Sequence, residues 1–482
     1  MQLSLMSGAY QARSVIAAAQ RCVNLYPEVN QRESYMMLPQ EAGASLLTHY
    51  PVPGLTLLAK ASGSTWRGFY LASNGTLYGV CGMTVYAISA TWALTQVGSI
   101  GSGSSQVSMA DNGIDLVLVD GTTNGYTITL ATNAFAALVD PTGTFVGADK
   151  VDYIDTFFVF NQPGTQAFYC SLSNSITFQA GYVANKTAYA DRLVTLMVIN
   201  RMIWLLGEQT TEIWYNAGGT TFPFAIVEGP FINHGCAAKY SAAKSDVNLF
   251  WLSQDQQGQG IVLMGDGYSA KRISTHAIEN EIQSYATISD AIGHVYQIQG
   301  HTFYVLTFPS ADATWVYDVQ ATLWHERAWL GPNGNLHRHR ANCGAFAYGV
   351  FVVGDWENGN LYQYDIANYT DNGNPIRCVR GFPHLTNELK RIVYHKFVAD
   401  MQCGATTDPT QVPMVELRWS DDRGASWQMP VEMPLGQVGQ TLTSIQYRRL
   451  GMARDRVFEL AWSAPVMTAL NGAFVDVTPA AT

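Results

Sequence analysis

Charge is what this sequence has least of. Asp, Glu, Lys and Arg make up 13% of its 482 residues, against roughly 25% in an ordinary soluble domain. Basic residues are the scarcer sign, 27 against 37 acidic, and the formal net charge is −10. No four basic residues stand in a row. That argues against a chain that coats nucleic acid, because neutralising phosphates takes clustered Lys and Arg. Long apolar runs are missing as well. The longest charge-free stretch, Gly68 to Ala110, is broken throughout by Gly, Ser, Thr and Asn, so it is no bilayer span. The opening MQLSLMSGAYQARS has neither a positive leader nor a long apolar core, and no signal peptide is expected. The seven cysteines, at 22, 81, 170, 236, 343, 378 and 403, are odd in number and contain no CxxC pair. They are expected to be reduced thiols acting as small hydrophobes, not disulfides or zinc ligands. P-loop, GxGxxG, GxSxG and HExxH patterns are all absent, so no nucleotide cofactor, metal or catalytic set is indicated.

What is plentiful is turn and strand chemistry. There are 43 glycines, and aromatic residues reach 12%. This composition excludes disorder and favours many short strands joined by tight turns. A two-strand pattern recurs as TLYGVCGMTVYAIS (76–89), DLVLVDGTTNGYTIT (115–129), FFVFNQPGTQAFYCS (157–171) and IWLLGEQTTEIWYN (203–216). It continues as LFWLSQDQQGQGIVLM (249–264), FYVLTFPSADATWVYD (303–318) and FVVGDWENGNLYQYD (351–365). Each has a β-rich run, a turn cluster and a second run, which is a hairpin signature. The starts lie 39 to 54 residues apart, near the ~40–50-residue period of a four-stranded propeller blade. Weaker runs between the hairpins, such as QVSMADNG, KVDYIDTF, RLVTLMVIN and ISDAIGHVYQ, are expected to be inner strands lining the axis. The fold class is therefore all-β: a β-propeller of six or seven blades, closed by a blade built from both chain ends, with an additional C-terminal β domain. Helix is expected only over 14–21 and 274–286, the latter capped by Ser274 or Thr275.

Charge divides the chain. Arg377 to Leu460 holds 11 basic and 9 acidic residues, whereas the rest holds 16 basic and 28 acidic. With the turn-rich YTDNGNP nearby, this places a boundary at 370–385. The expected domains are 1–60, an N-terminal segment, partly extended and packing on the others; 61–375, the propeller; and 376–482, the C-terminal β domain.

Ser420, Asp422, Gly424 and Trp427 fit the Asp-box pattern S-x-D-x-G-x-[TS]-W. In it an Asp ties a hairpin turn, Gly takes a positive φ and Trp packs beneath. It marks a hairpin far better than it marks glycosidase chemistry. A sialidase-type site needs three Arg, a Tyr–Glu nucleophile and an Asp acid, and no spacing singles out such a set. The densest His/Arg patch, Leu336-His337-Arg338-His339-Arg340, reads as a polar contact surface with no third metal ligand in view. His276, Glu279 and Glu281 read as helix surface.

Several phrases carry a resemblance when taken in order: RCVNLYPE (21–28), VPGL (52–55), SMADNG (108–113), NQPGTQAFYCS (161–171), TTEIWYNAGG (210–219) and FPF (222–224). GCAAK (235–239), RISTHAIE (272–279), TLWHER (322–327) and RLGMARDRVFEL (449–460) follow. Together they resemble the packaged-DNA stabilisation proteins, also called tail hub or nozzle proteins, of short-tailed bacteriophages, over about residues 20–465. The resemblance implies a non-enzymatic virion protein, made in the bacterial host cytoplasm and built into the phage tail. It implies a propeller with additional β domains, six copies forming a ring below the portal and adaptor rings. That ring would extend the DNA channel, help retain the packaged genome and take part in its ejection. The implied partners are the adaptor ring, a tailspike or tail fibre, and a plug or needle protein. Double-stranded DNA would pass through the lumen without sequence-specific binding, and self-association in isolation would be weak. The family brings no catalytic or cofactor residues. An acidic or neutral lumen would let the duplex slide. Arg448, Arg449, Arg454 and Arg456 form a candidate docking face for an acidic neighbouring ring; the rival is a solvated strand face with local ion pairs, such as Asp455 with a nearby Arg. The rival functions are a sialidase-like glycoside hydrolase and a non-catalytic glycan- or protein-binding propeller.

Overall fold

The structure, a computed structural model, describes the chain except residues 1, 4, 6–11, 15–19, 30–46, 230, 255–257, 407–409, 411, 481 and 482. Most of the helix expected over 14–21 falls outside the described residues. The second expected helix is present as His276–Ser284, with Thr275 as its N-cap.

Seven four-stranded antiparallel units are built from the described residues, at 66–99, 108–137, 151–185, 193–226, 243–272, 292–326 and 341–365. The seventh is completed by Gly54–Lys60, which pairs with Asn360–Asp365. The ring is thus closed by a strand from near the other end of the chain, and the blade count is seven. Each recurring hairpin of the sequence supplies the middle two strands of one blade, for example Leu77–Cys81 with Thr84–Ile88. The weaker runs are the first strands of their blades. Neighbouring first strands touch one another around the axis, and Ala341–Ala347 meets Trp66–Leu71 to close the circle.

The cores lie between blades, as four-stranded sheets require, because each leaves two apolar faces to cover. Trp204 of the fourth blade meets Trp251 of the fifth at 6.1 Å between ring centroids. Phe250 of the fifth stacks on Tyr304 of the sixth at 5.1 Å. At the closure, Trp66 is fully buried and donates its indole N–H to Gly359 O at 3.0 Å. Gly354 must be glycine there, since a Cβ would sit 2.2 Å from Trp66 Cβ. All seven cysteines are buried and free, and burial raises the thiols of Cys22 and Cys236 to about 11.

After the last blade the chain forms a two-sheet sandwich. One sheet carries Cys378–Gly381, Asp455–Trp462, Met414–Ser420 and Val431–Pro434. The other carries Leu25–Val29, Leu47–Pro51, Leu470–Pro479, Ile392–Met401 and Ile445–Arg448. Phe397 and Phe458 meet between them at 5.1 Å. Cys22–Val23 joins the two bodies. It pairs in parallel with the outer strand of the sixth blade, Val23 opposite Glu326, and antiparallel with Cys378–Gly381 of the sandwich. A single ten-stranded sheet therefore runs from propeller into sandwich.

Asn24 fixes this seam. Its backbone takes φ +56, a conformation that Asn tolerates better than other side-chain-bearing residues. Its Nδ2 donates to Ala328 O and to Arg377 O, both at 2.9 Å. Its Oδ1 accepts from Ala328 N at 2.9 Å. Arg21 adds an ion pair to Glu326 at 2.8 Å. We predict that Asn24→Ala destabilises the protein by about 2–4 kcal/mol in urea unfolding, since it strands buried backbone groups. Asn24→Gly should retain the backbone turn yet lose most of that stability; equal stability of Asn24→Gly and wild type would contradict the assignment.

Candidate functional surfaces and the axial channel

The Asp-box residues come together as one turn. It lies in the loop between Met414–Ser420 and Val431–Pro434, strands of one sandwich sheet. Ser420 Oγ donates to Asp422 Oδ1 at 2.6 Å and accepts from Gly424 N at 2.7 Å. Ser426 donates its amide to Asp422 Oδ1 at 2.8 Å and its hydroxyl to Oδ2 at 2.6 Å. Gly424 takes φ +95. The Ser420 hydroxyl first, then the Ser426 hydroxyl and amide, hold the Asp422 carboxyl down at about 2. Trp427 is half-buried, and its partner is a cation: the Arg418 guanidinium lies 4.6 Å from the ring. Arg418 in turn binds Glu459. Every group here serves the turn or its neighbours.

The four arginines proposed as a docking face divide. Arg456 is 1% exposed and does not belong to a surface. Its Nε and Nη2 reach the Asp421 carboxylate at 2.5 and 2.8 Å, and its Nη1 reaches Leu450 O at 2.5 Å. Desolvating a guanidinium is costly unless it is paired and hydrogen-bonded, so Asp421 accompanies it. Arg448, Arg449 and Arg454 are exposed. Arg448 ends the strand Ile445–Arg448, Arg449 follows it and Arg454 lies just past Met452–Ala453; both strands pair with Ile392–Met401. Lys396 stands opposite Arg448 in that register, so the rim holds a fourth cation that no sequence spacing revealed. Local ion pairing is extensive elsewhere in the sandwich: Arg423 reaches Asp455 at 3.0 Å, and Arg377 reaches Glu416 at 2.6 Å.

The His/Arg patch divides: Leu336, His337 and Arg338 are half-exposed, and the rest is drawn into an internal network. His339 and Arg340 are buried. His337 Nδ1 lies 2.6 Å from Asp312, Arg338 stacks over Trp356 at 4.1 Å, and Arg340 binds Asp355 through two nitrogens at 2.8 and 2.9 Å. Burial, reinforced by the Arg327 charge, holds His339 well below the ordinary histidine range. Glu279 is likewise not helix surface. It is 4% exposed and takes hydrogen bonds from Arg272 Nε at 2.6 Å and Ser274 Oγ at 2.5 Å.

A cavity of about 950 Å³ lies at the propeller axis, lined by residues in or just beside the first strands of the third to seventh blades, among them Lys150, Asn200, Asp246, His294, Gln297 and Phe346. Desolvation holds the Lys150 ammonium below the ordinary lysine range, and Lys244 beside it pairs with Asp152 at 2.8 Å. In the segments leading into the first strands of the third and fifth blades, Asp149 and Lys239 pair at 2.6 Å.

Two family models match the chain. One, described as bacteriophage P22 Gp10, beta-propeller, covers residues 1–368. The other, described as bacteriophage P22 Gp10, beta-sandwich, covers 377–478. No curated protein matches. Among solved structures, the chain is similar to the WD40 beta propeller domain of Doa1, at TM-score 0.40 and 12% identity over 64% of this chain and 96% of that one. It is also similar to the computationally designed Ika8 protein, at TM-score 0.40 and 10% identity over 64% and 99%.

The depressed Asp422 carboxyl gives a pH prediction. Its folded value lies below the unfolded value of about 3.9, so its contribution is present above that value and is lost as pH falls through about 2. Ser420→Ala should move the Asp422 titration, read by carboxyl carbon NMR, up toward 3.9. An unchanged titration would remove the serine from this role.

Proposed function

Because the chain belongs to the bacteriophage P22 Gp10 family, in which it is a structural tail hub protein, we propose that it works without catalysis, as one subunit of a homohexameric nozzle ring. The observation that carries this reading is the continuous sheet from the sixth blade into the sandwich. A subunit seamed in this way resists hinge motion, and a wall that holds packaged DNA needs such stiffness. On this reading residues 61–375 form the wall, 376–482 form the docking module and 1–60 tie them together. On this reading DNA would run through the lumen enclosed by six subunits. The excess of acidic residues outside 377–460 suits a lumen that repels phosphates and lets the duplex move without sticking.

The basic rim of Arg448, Arg449 and Arg454 supports contact with an acidic neighbouring ring, such as the adaptor below the portal. Tailspike or fibre and plug or needle proteins would occupy other faces. The place of action on this reading is the virion tail. The Asp box lends no weight to a sialidase-like activity, since all its polar groups are consumed in the turn.

The test is assembly. A chain carrying Arg448→Glu, Arg449→Glu and Arg454→Glu should unfold like wild type, because the three side chains are exposed, yet should fail to join tails in electron micrographs of complemented particles. Normal incorporation would move the docking face elsewhere. Turnover of a sialoside by the wild-type chain would overturn the non-catalytic reading.

A further inference from the structure

Where Gly54–Lys60 closes the ring, a pocket of about 190 Å³ opens between the seventh blade and the hairpin at 328–338. Its lining includes Trp329, Arg340, Glu357, Tyr362 and Asp371. Arg340 is already committed. It holds Asp355 bidentately, gives Nη1 to Glu357 at 2.5 Å, and lies 4.8 Å from the Trp329 ring and 5.1 Å from the Trp356 ring. Tyr362 donates its hydroxyl to Asp355 at 3.0 Å.

Asp371 is the group left over. It is 3% exposed, and its Oδ1 has no hydrogen-bond partner. Leaving a buried carboxyl unmatched is costly. Of the nearby cations, Arg327 gives its nitrogens to Pro53 O at 2.6 Å and Tyr296 Oη at 3.3 Å, and stacks on Tyr364. The charged groups around the pocket are thus the carboxylates of Asp355, Glu357 and Asp371 and the guanidiniums of Arg327, Arg340 and, acting on Asp355 and Arg340, Arg338. Tyr364 and the buried thiol of Cys378 also face Asp371 from the blade and the sandwich. Asp355 and Glu357 are ion-paired to Arg340, whereas Asp371 has no ion pair among the described residues. An aromatic wall, Trp329, stands at the same opening.

We propose that this pocket binds an alkylammonium or alkylguanidinium group, with Asp371 as its counter-ion, Glu357 as a second acceptor and Trp329 against its alkyl chain. Aromatic rings and carboxylates are the usual pair of contacts for such cations. Two sources carry this chemistry: a free small amine, or a Lys or Arg side chain of an attached protein. Burial lifts the Asp371 carboxyl to about 7, against the opposing pull of Arg327 and then Arg340. The raised value means that the empty site is protonated in mild acid and must ionise to bind, so binding should strengthen as pH rises through 7.

The experiment is calorimetric titration of the full chain with agmatine at pH 6 and pH 8 at matched ionic strength, with 1-butanol as the uncharged control. We expect saturable one-to-one binding at pH 8, weaker at pH 6 by up to about tenfold, and no heat from butanol. Asp371→Asn should abolish binding at both pH values. Should that variant fail to fold, the wild-type pH dependence alone decides. The capped tripeptide acetyl-Gly-Arg-Gly-amide separates the sources: its binding assigns the site to a protein side chain, and binding of agmatine alone assigns it to a free amine. No saturable binding of agmatine at pH 8, or equal affinity at both pH values, overturns the proposal.

Discussion

The molecule depends on one short strand. Cys22–Val23 is only two residues long, yet it hydrogen-bonds a propeller blade on one side and a sandwich sheet on the other. Asn24 then turns the chain and ties Ala328, just past the sixth blade, to Arg377, just ahead of the sandwich. These partners are 304 and 353 residues away. Without this seam the two β bodies would be joined by two covalent crossings, at residues 52–53 and between Asp365 and Cys378, with no sheet between them, and relative motion would be the default. With it, a sheet is shared between them as well.

The closure of the ring repeats the device. Gly54–Lys60 enters the seventh blade, whose other strands lie some 300 positions later. The same N-terminal stretch therefore locks the propeller and fastens the sandwich to it. Both locks sit beside buried cations, Arg327 and Arg380, whose nitrogens reach the carbonyls of Pro53 and Leu5. A stiff subunit with few internal hinges is what a tail hub requires. Here the stiffness comes from backbone hydrogen bonds of the shared sheet and interlocked aromatic faces between blades.

Much of the propeller was legible because its signals are local. A hairpin such as Asp115–Val119 with Gly125–Thr129 announces itself in fifteen consecutive residues, and seven copies reveal a period. The weaker first strands were also legible, since Ser108–Asp111 and Val151–Ile154 fall in the gaps that the period predicts. The count stayed open between six and seven because the closing strand, 54–60, pairs across most of the chain. Side-chain roles were harder. Arg456 looked like surface in a basic run, but its partner Asp421 is 35 residues away. Glu279 sits on a helix with charged neighbours, yet Arg272 and Ser274 fold over it. His339 and Arg340 alternate like an exposed strand, while Asp355 and Trp356, which hold Arg340, belong to a later turn of the seventh blade, and Trp329 belongs to the hairpin before it. Burial of a charge is decided by such distant partners, and a linear pattern does not contain them. The Asp box was legible because all its bonds lie within seven residues.

The central claim is that seam and closure make propeller and sandwich one mechanical body. Scanning calorimetry of the full chain tests it directly, read together with hydrogen exchange at Val23, Ala328 and Val379. The account predicts a single endotherm, with those three amides opening only at the free energy of global unfolding. Two separated endotherms, with early exchange confined to those amides, would show two bodies on a tether and contradict it.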